Sequence, residues 1–363
     1  MKLKISENIK NLRRDKNISQ ERFAEMLGVS CQSVSRWENE ICYPDIELIP
    51  VIAEYFNISV DHLLGIDKSI EEKQVNKYLE KFQEEISKGN IEECIIIARK
   101  AVAAYPNNYK LLNKLMYALF VSSDDTGNIA NWKENQEKYD EEIVSLGNRI
   151  MKYCDDVDIK YEAITRLAFH HCEMGRKQIG KEIYNTIPSM NVSREVNQWW
   201  SLEEDEKLPF IRHYIKESYN QLNCALGLLV NEDLISEKEA IEVQKIRFQI
   251  DELIEGKDSG KYSFYLAATR FKLAKLYAIL EDKDNMYKYL KEAITYAIDH
   301  DNRPDIWDAN SLCLGKTTHY KTDFETADKR SLAEIFKNKW LSISEFDKYR
   351  SESYFKELVS ILF

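Results

Sequence analysis

The chain has 363 residues, 44% hydrophobic and 31% charged, enough to bury a full core and to hold more than one domain. No run approaches the roughly 18 apolar residues of a membrane span, and no apolar stretch follows the lysines of Met1-Lys2-Leu3-Lys4-Ile5-Ser6-Glu7, so neither a membrane protein nor a secretory leader is expected. The formal net charge is −11, but residues 1–36 hold eight Lys/Arg against four acids, while residues 37–66 hold six acids and no Lys/Arg, so nucleic acid can approach one end only.

Eleven glycines and six prolines are too few for an all-β or doubly wound fold with many tight turns, so the expected class is all-α. Seven cysteines lie scattered at 31, 42, 94, 154, 172, 224 and 313 with no Cys-x-x-Cys pair, which predicts reduced thiols in the cytoplasm and no metal site.

Ile5, Ile9 and Leu12 recur at helical spacing with basic residues between them. Ser19 offers an N-cap to a helix from Gln20 to Leu27 that ends at Gly28, and Ser30 opens another from Cys31 to Glu38. Asp45 and Ser59 are expected to cap two further short helices, Ile46–Phe56 and Val60–Leu64. Five short helices over residues 1–66 make a compact helical domain.

The segment 20–39 carries a stricter pattern. Ala24 is small where two helices crossing near a right angle must touch, and Gly28 supplies positive φ in the turn between them. Phe23, Leu27, Val29, Val34 and Trp37 seat both helices on a shared core and leave the other face of the second helix free. With Ser35-Arg36-Trp37-Glu38-Asn39, Tyr43-Pro44-Asp45 and the ending Ser59-Val60-Asp61-His62-Leu63-Leu64-Gly65, residues 5–66 resemble the Cro and phage-repressor (XRE-like) helix-turn-helix family.

That resemblance implies sequence-specific DNA binding, with the second helix of the pair in the major groove and Ser30, Cys31, Gln32, Ser33 and Arg36 at its DNA-facing end. Gln32 has the donor and acceptor geometry for adenine and Arg36 for guanine. Gln20 matches the residue that meets a phosphate through side chain and backbone N–H. Arg13 and Glu38 match a buried Arg–carboxylate pair that ties the first helix to the recognition helix. Cys31 departs from the family, which often has a base-reading glutamine there; a thiol fits a thymine methyl or the backbone better.

Residues 67–74, opening Asp67-Lys68-Ser69-Ile70-Glu71-Glu72-Lys73, are polar and expected as a linker. From 75 to 363 the chain reads as amphipathic helical hairpins. Three stretches share a loose register of small residues: Gly89-Asn90 with Cys94, Ala98, Ala101 and Pro106; Leu167-Ala168 with Gly175, Gly180, Tyr184 and Pro188; and Leu273-Ala274 with Tyr277, Leu290 and Ala293. They resemble tetratricopeptide repeats, whose stacked helix pairs present a concave face suited to extended peptides, although Met286 is large where the pattern wants alanine.

Other features are read more plainly. Gly315-Lys316-Thr317-Thr318 lacks the first glycine of a phosphate loop, since position 310 is Asn. His170-His171 is expected as a packed or exposed pair, Trp199-Trp200 as core and hairpin packing, which a peptide groove could also use, and Glu203-Glu204-Asp205-Glu206 as a solvated loop or helix start. No nucleophile–base constellation is visible, so neither an enzyme nor a cofactor is expected.

The reading is therefore a DNA-binding regulator, homodimeric on a palindromic site, whose region 75–363 dimerises it. The alternative makes that region a peptide- or protein-interaction scaffold carrying a DNA anchor. A helix-turn-helix joined to such repeats resembles Gram-positive regulators that respond to short signalling peptides.

Overall fold

The computed structural model describes residues 3–65, 68–124, 129–231, 234–256 and 262–362, with backbone only at 68–70; Met1, Lys2, Ile66 and Asp67 of the segments discussed above lie outside the described residues. Two compact units are present, residues 1–79 and 80–363.

In the first unit the order is α1 (Ile5–Asp15), α2 (Gln20–Leu27), α3 (Cys31–Glu38), α4 (Leu48–Phe56) and α5 (Val60–Leu64). Short local signals set most of these boundaries. Ser19, Ser30 and Ser59 each accept a hydrogen bond from the backbone N–H three residues on, which satisfies one of the orphan donors of a helix start. Gly28, at φ 67°, ends α2 in the left-handed region. Ile5, Ile9, Phe23, Ala24, Val34, Trp37, Ile52, Ala53, Phe56 and Leu63 form one core beneath the five helices.

One boundary differs from expectation. α4 starts at Leu48, two residues later than Ile46, and Asp45 contributes a turn through its carbonyl rather than a side-chain cap. Pro50 supplies the reason. Without an N–H it could not bond back to residue 46, whereas a start at Leu48 places it in the first turn, where no intrahelical partner is needed. The polar stretch expected as a linker is also helical from Lys68 on, within α6 (Lys68–Ser87).

The second unit continues with α7 (Ile91–Ala104), α8 (Tyr109–Val121), α9 (Trp132–Tyr153), α10 (Val157–Glu173), α11 (Lys177–Tyr184), the short α12 (Arg194–Asn197), α13 (Glu204–Asn231), α14 (Glu237–Glu255), α15 (Phe264–Ile279) and α16 (Lys283–Asp301). A hairpin of β1 (Ile306–Ser311) and β2 (Gly315–Tyr320) follows, then α17 (Leu332–Asn338) and α18 (Ser353–Ser360). Sequential helices pack as neighbours from α7 to α11, and α15 packs along α16. Of the small residues read as helix-crossing positions, Cys94, Ala98, Ala101, Ala168, Gly180, Ala274 and Ala293 are buried, whereas Gly175 is exposed. Met286, large as it is, is fully buried as well, in the core that α15 and α16 share with Phe336 and Phe346. Gly147 lets α9 approach closely, since an added Cβ would sit 3.0 Å from both Leu167 Cδ1 and Met116 Cε.

The architecture is helical with one departure. Gly315-Lys316-Thr317-Thr318 is the start of β2, paired antiparallel with β1 so that Trp307 faces His319 and Asp308 faces Thr318. Gly315, at φ 72°, takes the left-handed position that closes the three-residue loop. Trp307 and His319 stack with ring centroids 5.3 Å apart. His170 and His171 are buried; His170 Nε2 lies 2.7 Å from Asp140 Oδ1, and His171 Nδ1 accepts from Arg176 Nε at 2.9 Å. Trp200 overturns its expectation, being 90% exposed rather than packed in a core. Among the described residues no helix is long and apolar enough to cross a membrane.

Candidate nucleic-acid interface

The candidate interface is α3, and its geometry follows from which residues the core takes. Val34, Trp37 and Glu38 point inward and are buried, so the helix is held along one stripe. Gln32 and Arg36, four residues apart and thus neighbours on the helix surface, are exposed on the other side. Ser30 caps the helix start: its Oγ accepts from the Ser33 N–H at 3.1 Å and lies 2.8 Å from the Ser33 hydroxyl. The two serines therefore serve the first turn of α3. Cys31 is half-buried and packs against the domain core, which leaves Gln32 and Arg36 as the long polar side chains free on this face.

Arg13 and Glu38 meet as a bidentate pair, with Arg13 Nε donating to one Glu38 oxygen at 2.6 Å and its terminal nitrogen to the other at 2.9 Å. A third Arg13 nitrogen donates to the Ile18 carbonyl at 2.6 Å. The Glu38 side chain is 1% exposed and that of Arg13 11%. Burial by itself would raise the Glu38 carboxyl, but the hydrogen bonds from Arg13 and Gln20 and the Arg13 charge outweigh it and hold the group below its ordinary value. The Arg13 guanidinium is correspondingly raised, chiefly by its hydrogen bond to Glu38. The pair couples α1 to the last turn of α3.

Gln20 is a residue whose partner the sequence reading missed. Its side-chain amide donates to Glu38 at 2.8 Å, completing a network of Arg13, Gln20 and Glu38 across three helices. One hydrogen of the Gln20 amide is thus committed to Glu38 rather than to solvent. The two partners sit 18 residues apart, beyond any local signal.

The turn between α2 and α3 is short. The Gly28 N–H donates to the Glu25 carbonyl at 3.2 Å and the Val29 N–H to the Ala24 carbonyl at 3.0 Å, which satisfies the end of α2. No atom lies within 4 Å of where a Gly28 Cβ would be, so glycine is needed there for its φ rather than for space. Ala24 is buried, as a close crossing of α2 and α3 requires.

Residues 9–63 match the family model described as helix-turn-helix. Among curated proteins, the HTH-type transcriptional activator BcrR of Enterococcus faecalis is 35% identical over 68 residues, 19% of this chain and 33% of that protein. Antitoxin PezA of Streptococcus pneumoniae is 39% identical over 66 residues, 18% of this chain and 42% of that protein. The chain thus spans between a third and a half of the length of these relatives. Among solved structures, PlcR of Bacillus thuringiensis, in complex with the peptide PapR7 and DNA, is 15% identical, with 81% of this chain and 94% of that chain covered, at a TM-score of 0.33, too low to assign a shared fold. The paired helices α2 and α3, their glycine turn and the matched residues agree: residues 9–63 of this chain form a helix-turn-helix domain.

Proposed function

We propose that this chain is a sequence-specific DNA-binding transcription regulator that reads the major groove with α3, as a homodimer on a palindromic site. The observation that carries the reading is the division of α3 into a buried stripe and a free one: Val34, Trp37 and Glu38 anchor the helix while Gln32 and Arg36 stand clear. A glutamine presents one donor and one acceptor to adenine, and an arginine two donors to guanine, so each distinguishes its base from the other three. Ser30 and Ser33 act through the helix start, and Cys31 touches a thymine methyl or the backbone. Phosphates contact the first turn of α2 at Gln20. Positive charge toward the duplex comes from the Lys/Arg of residues 1–36 other than Arg13, which is spent on Glu38, and residues 37–66 supply none.

One such domain touches few base pairs, and two related by a two-fold axis reach half-sites about 34–36 Å apart on one face of the duplex. The test is to recover DNA fragments bound by the purified full chain at moderate salt. The proposal requires an enriched inverted repeat; recovery of no shared sequence sinks it.

The same proposal gives the 289 residues of 75–363 two duties, dimerisation and the response to a short peptide or a protein partner. What supports the second is size, since helical hairpins of this length exceed what holding two DNA-binding domains together requires. A peptide acts only by binding the DNA-competent and incompetent arrangements unequally. Titration calorimetry with candidate peptides, followed by operator binding with the peptide present, tests it: several-fold change in operator affinity is required.

A further inference from the structure

We propose that the face running along α11 and the following segment to the start of α13 is the surface through which two copies of this chain pair. The inference rests on the dimeric reading above and names the surface, which that reading leaves open.

The path of the chain defines the face. α10 has 17 residues, about 25 Å at 1.5 Å per residue. α11 returns along it from the C-terminal end, with Gly180 set against Ala168 and Cys172, and stops after 8 residues. The chain then continues toward the other end of α10, because Arg194 donates to Asp158, in the first turn of α10, at 2.9 Å. The segment is braced locally: the Asn197 amide donates to the carbonyls of Asn191 at 3.1 Å and Ser193 at 2.9 Å.

Large apolar side chains stand exposed along it, among polar ones such as Asn191, Arg194 and Gln198. Trp200 is 90% exposed and Met190 71%, and Val192, Val196 and Tyr184 are exposed with them. In a stack of helical hairpins each outer face is covered by the next hairpin. α11 packs principally on α10 among the described residues, and Lys177, Gln178, Ile179, Lys181 and Glu182 on it are exposed. Large exposed apolar side chains grouped on a braced surface mark an interaction site, and an exposed tryptophan is a typical anchor of one.

Charge identifies the occupant as a second copy. Lys177, Lys181 and Tyr184 fall on one stripe of α11, and both lysines are exposed. Glu182 lies about 100° round the helix from Lys181, where it holds the Gln178 amide at 2.9 Å. At the other end of the face stand Glu203, Glu204, Asp205 and Glu206, all exposed, with Glu204 paired to Lys207. The face is thus basic at one end and acidic at the other, with Trp200 and Met190 exposed between them and Arg194 spent on Asp158. A two-fold axis through its centre exchanges the ends, setting the lysines of each copy on the acids of its partner.

The experiment is sedimentation velocity on the full chain without DNA, over a range of concentrations. The parent should dimerise, and Trp200→Ser should raise the dissociation constant by at least about tenfold. Reversing the basic end, Lys177→Glu with Lys181→Glu, should weaken pairing, as should reversing the acidic end, Glu203→Lys with Asp205→Lys. All four changes together should restore most of what each pair loses, which only a self-complementary face allows. Circular dichroism and melting temperature matching the parent establish that each variant is folded. A parent that stays monomeric at the highest attainable concentration overturns the proposal, as does a dimer indifferent to Trp200→Ser or a fourfold variant no better than either pair. Because DNA is absent, these outcomes are independent of operator recovery; a monomer that still enriches one half-site leaves the groove reading standing.

Discussion

Glu38 is a carboxylate with almost no solvent of its own, kept ionised by Arg13 and Gln20. Removing Arg13 leaves that charge buried and uncompensated, so Arg13→Ala should cost about 3–5 kcal/mol, and Arg13→Met with Glu38→Leu should recover part of the loss. Because the Glu38 carboxyl is depressed in the folded protein, its contribution is complete above the unfolded carboxylate value and is lost as the pH falls through the lower, folded one. Thermal melts of the parent should therefore decline on acidification below about pH 4 more steeply than those of the double variant. Single variants as stable as the parent would contradict the network. Gln20→Ala belongs to the same group: it should lower both stability, by about 1 kcal/mol, and DNA affinity on all sequences alike. A loss confined to affinity would place the Gln20 side chain on phosphate alone.

At the scale of elements, glycines with different duties give different predictions. Gly28→Ala puts a Cβ into a left-handed backbone with open space around it, and should cost about 1–2 kcal/mol through strain. Gly147→Ala meets Leu167 and Met116 at 3.0 Å in an ordinary helix and should cost about 1–3 kcal/mol by overpacking. Gly28→Asn, which tolerates positive φ, should recover part of the first loss, whereas Gly147→Asn should only worsen the second. Equal behaviour of the two sites in a denaturant melt would refute this distinction.

The same local chemistry explains what could be read from residues alone. Ser19, Gly28, Ser30 and Ser59 act within four residues of themselves, so α2, α3 and α5 were legible to the residue. Pro50 shows a local signal overlooked, because its missing N–H delays the start of α4. The β1–β2 hairpin was missed because its alternation is only six residues long on each side and sits within a helical chain. Its inward stripe of Trp307, Ala309, Thr317 and His319 is the signal that could have shown it. Trp200 was read as core from its type alone, and aromatic character by itself does not say which side of a surface a ring occupies. Gln20 needed a partner on another helix, and no spacing rule supplies one.

At the scale of the whole molecule, residues 1–79 form a compact unit with its own core, so this fragment should fold cooperatively alone. Its first 66 residues carry eight basic and ten acidic side chains, and a single copy should hold DNA weakly. Linking two such units through residues 80–363 should tighten operator binding by about 10²–10⁴-fold over the fragment, with no new base contact. A fragment that binds as tightly as the full chain would remove dimerisation from the account.

The central claim is that Gln32 and Arg36 read bases. It is tested most directly by selecting bound sequences from a random DNA library with the full chain and with Arg36→Ala and Gln32→Ala. Each variant should keep the parent melting temperature and lose about 1–3 kcal/mol of discrimination at one symmetric pair of positions, guanine for Arg36 and adenine for Gln32, while the rest of the motif persists. Variants that recover the parent motif with unchanged preference at every position would contradict the reading of α3 as the helix in the groove.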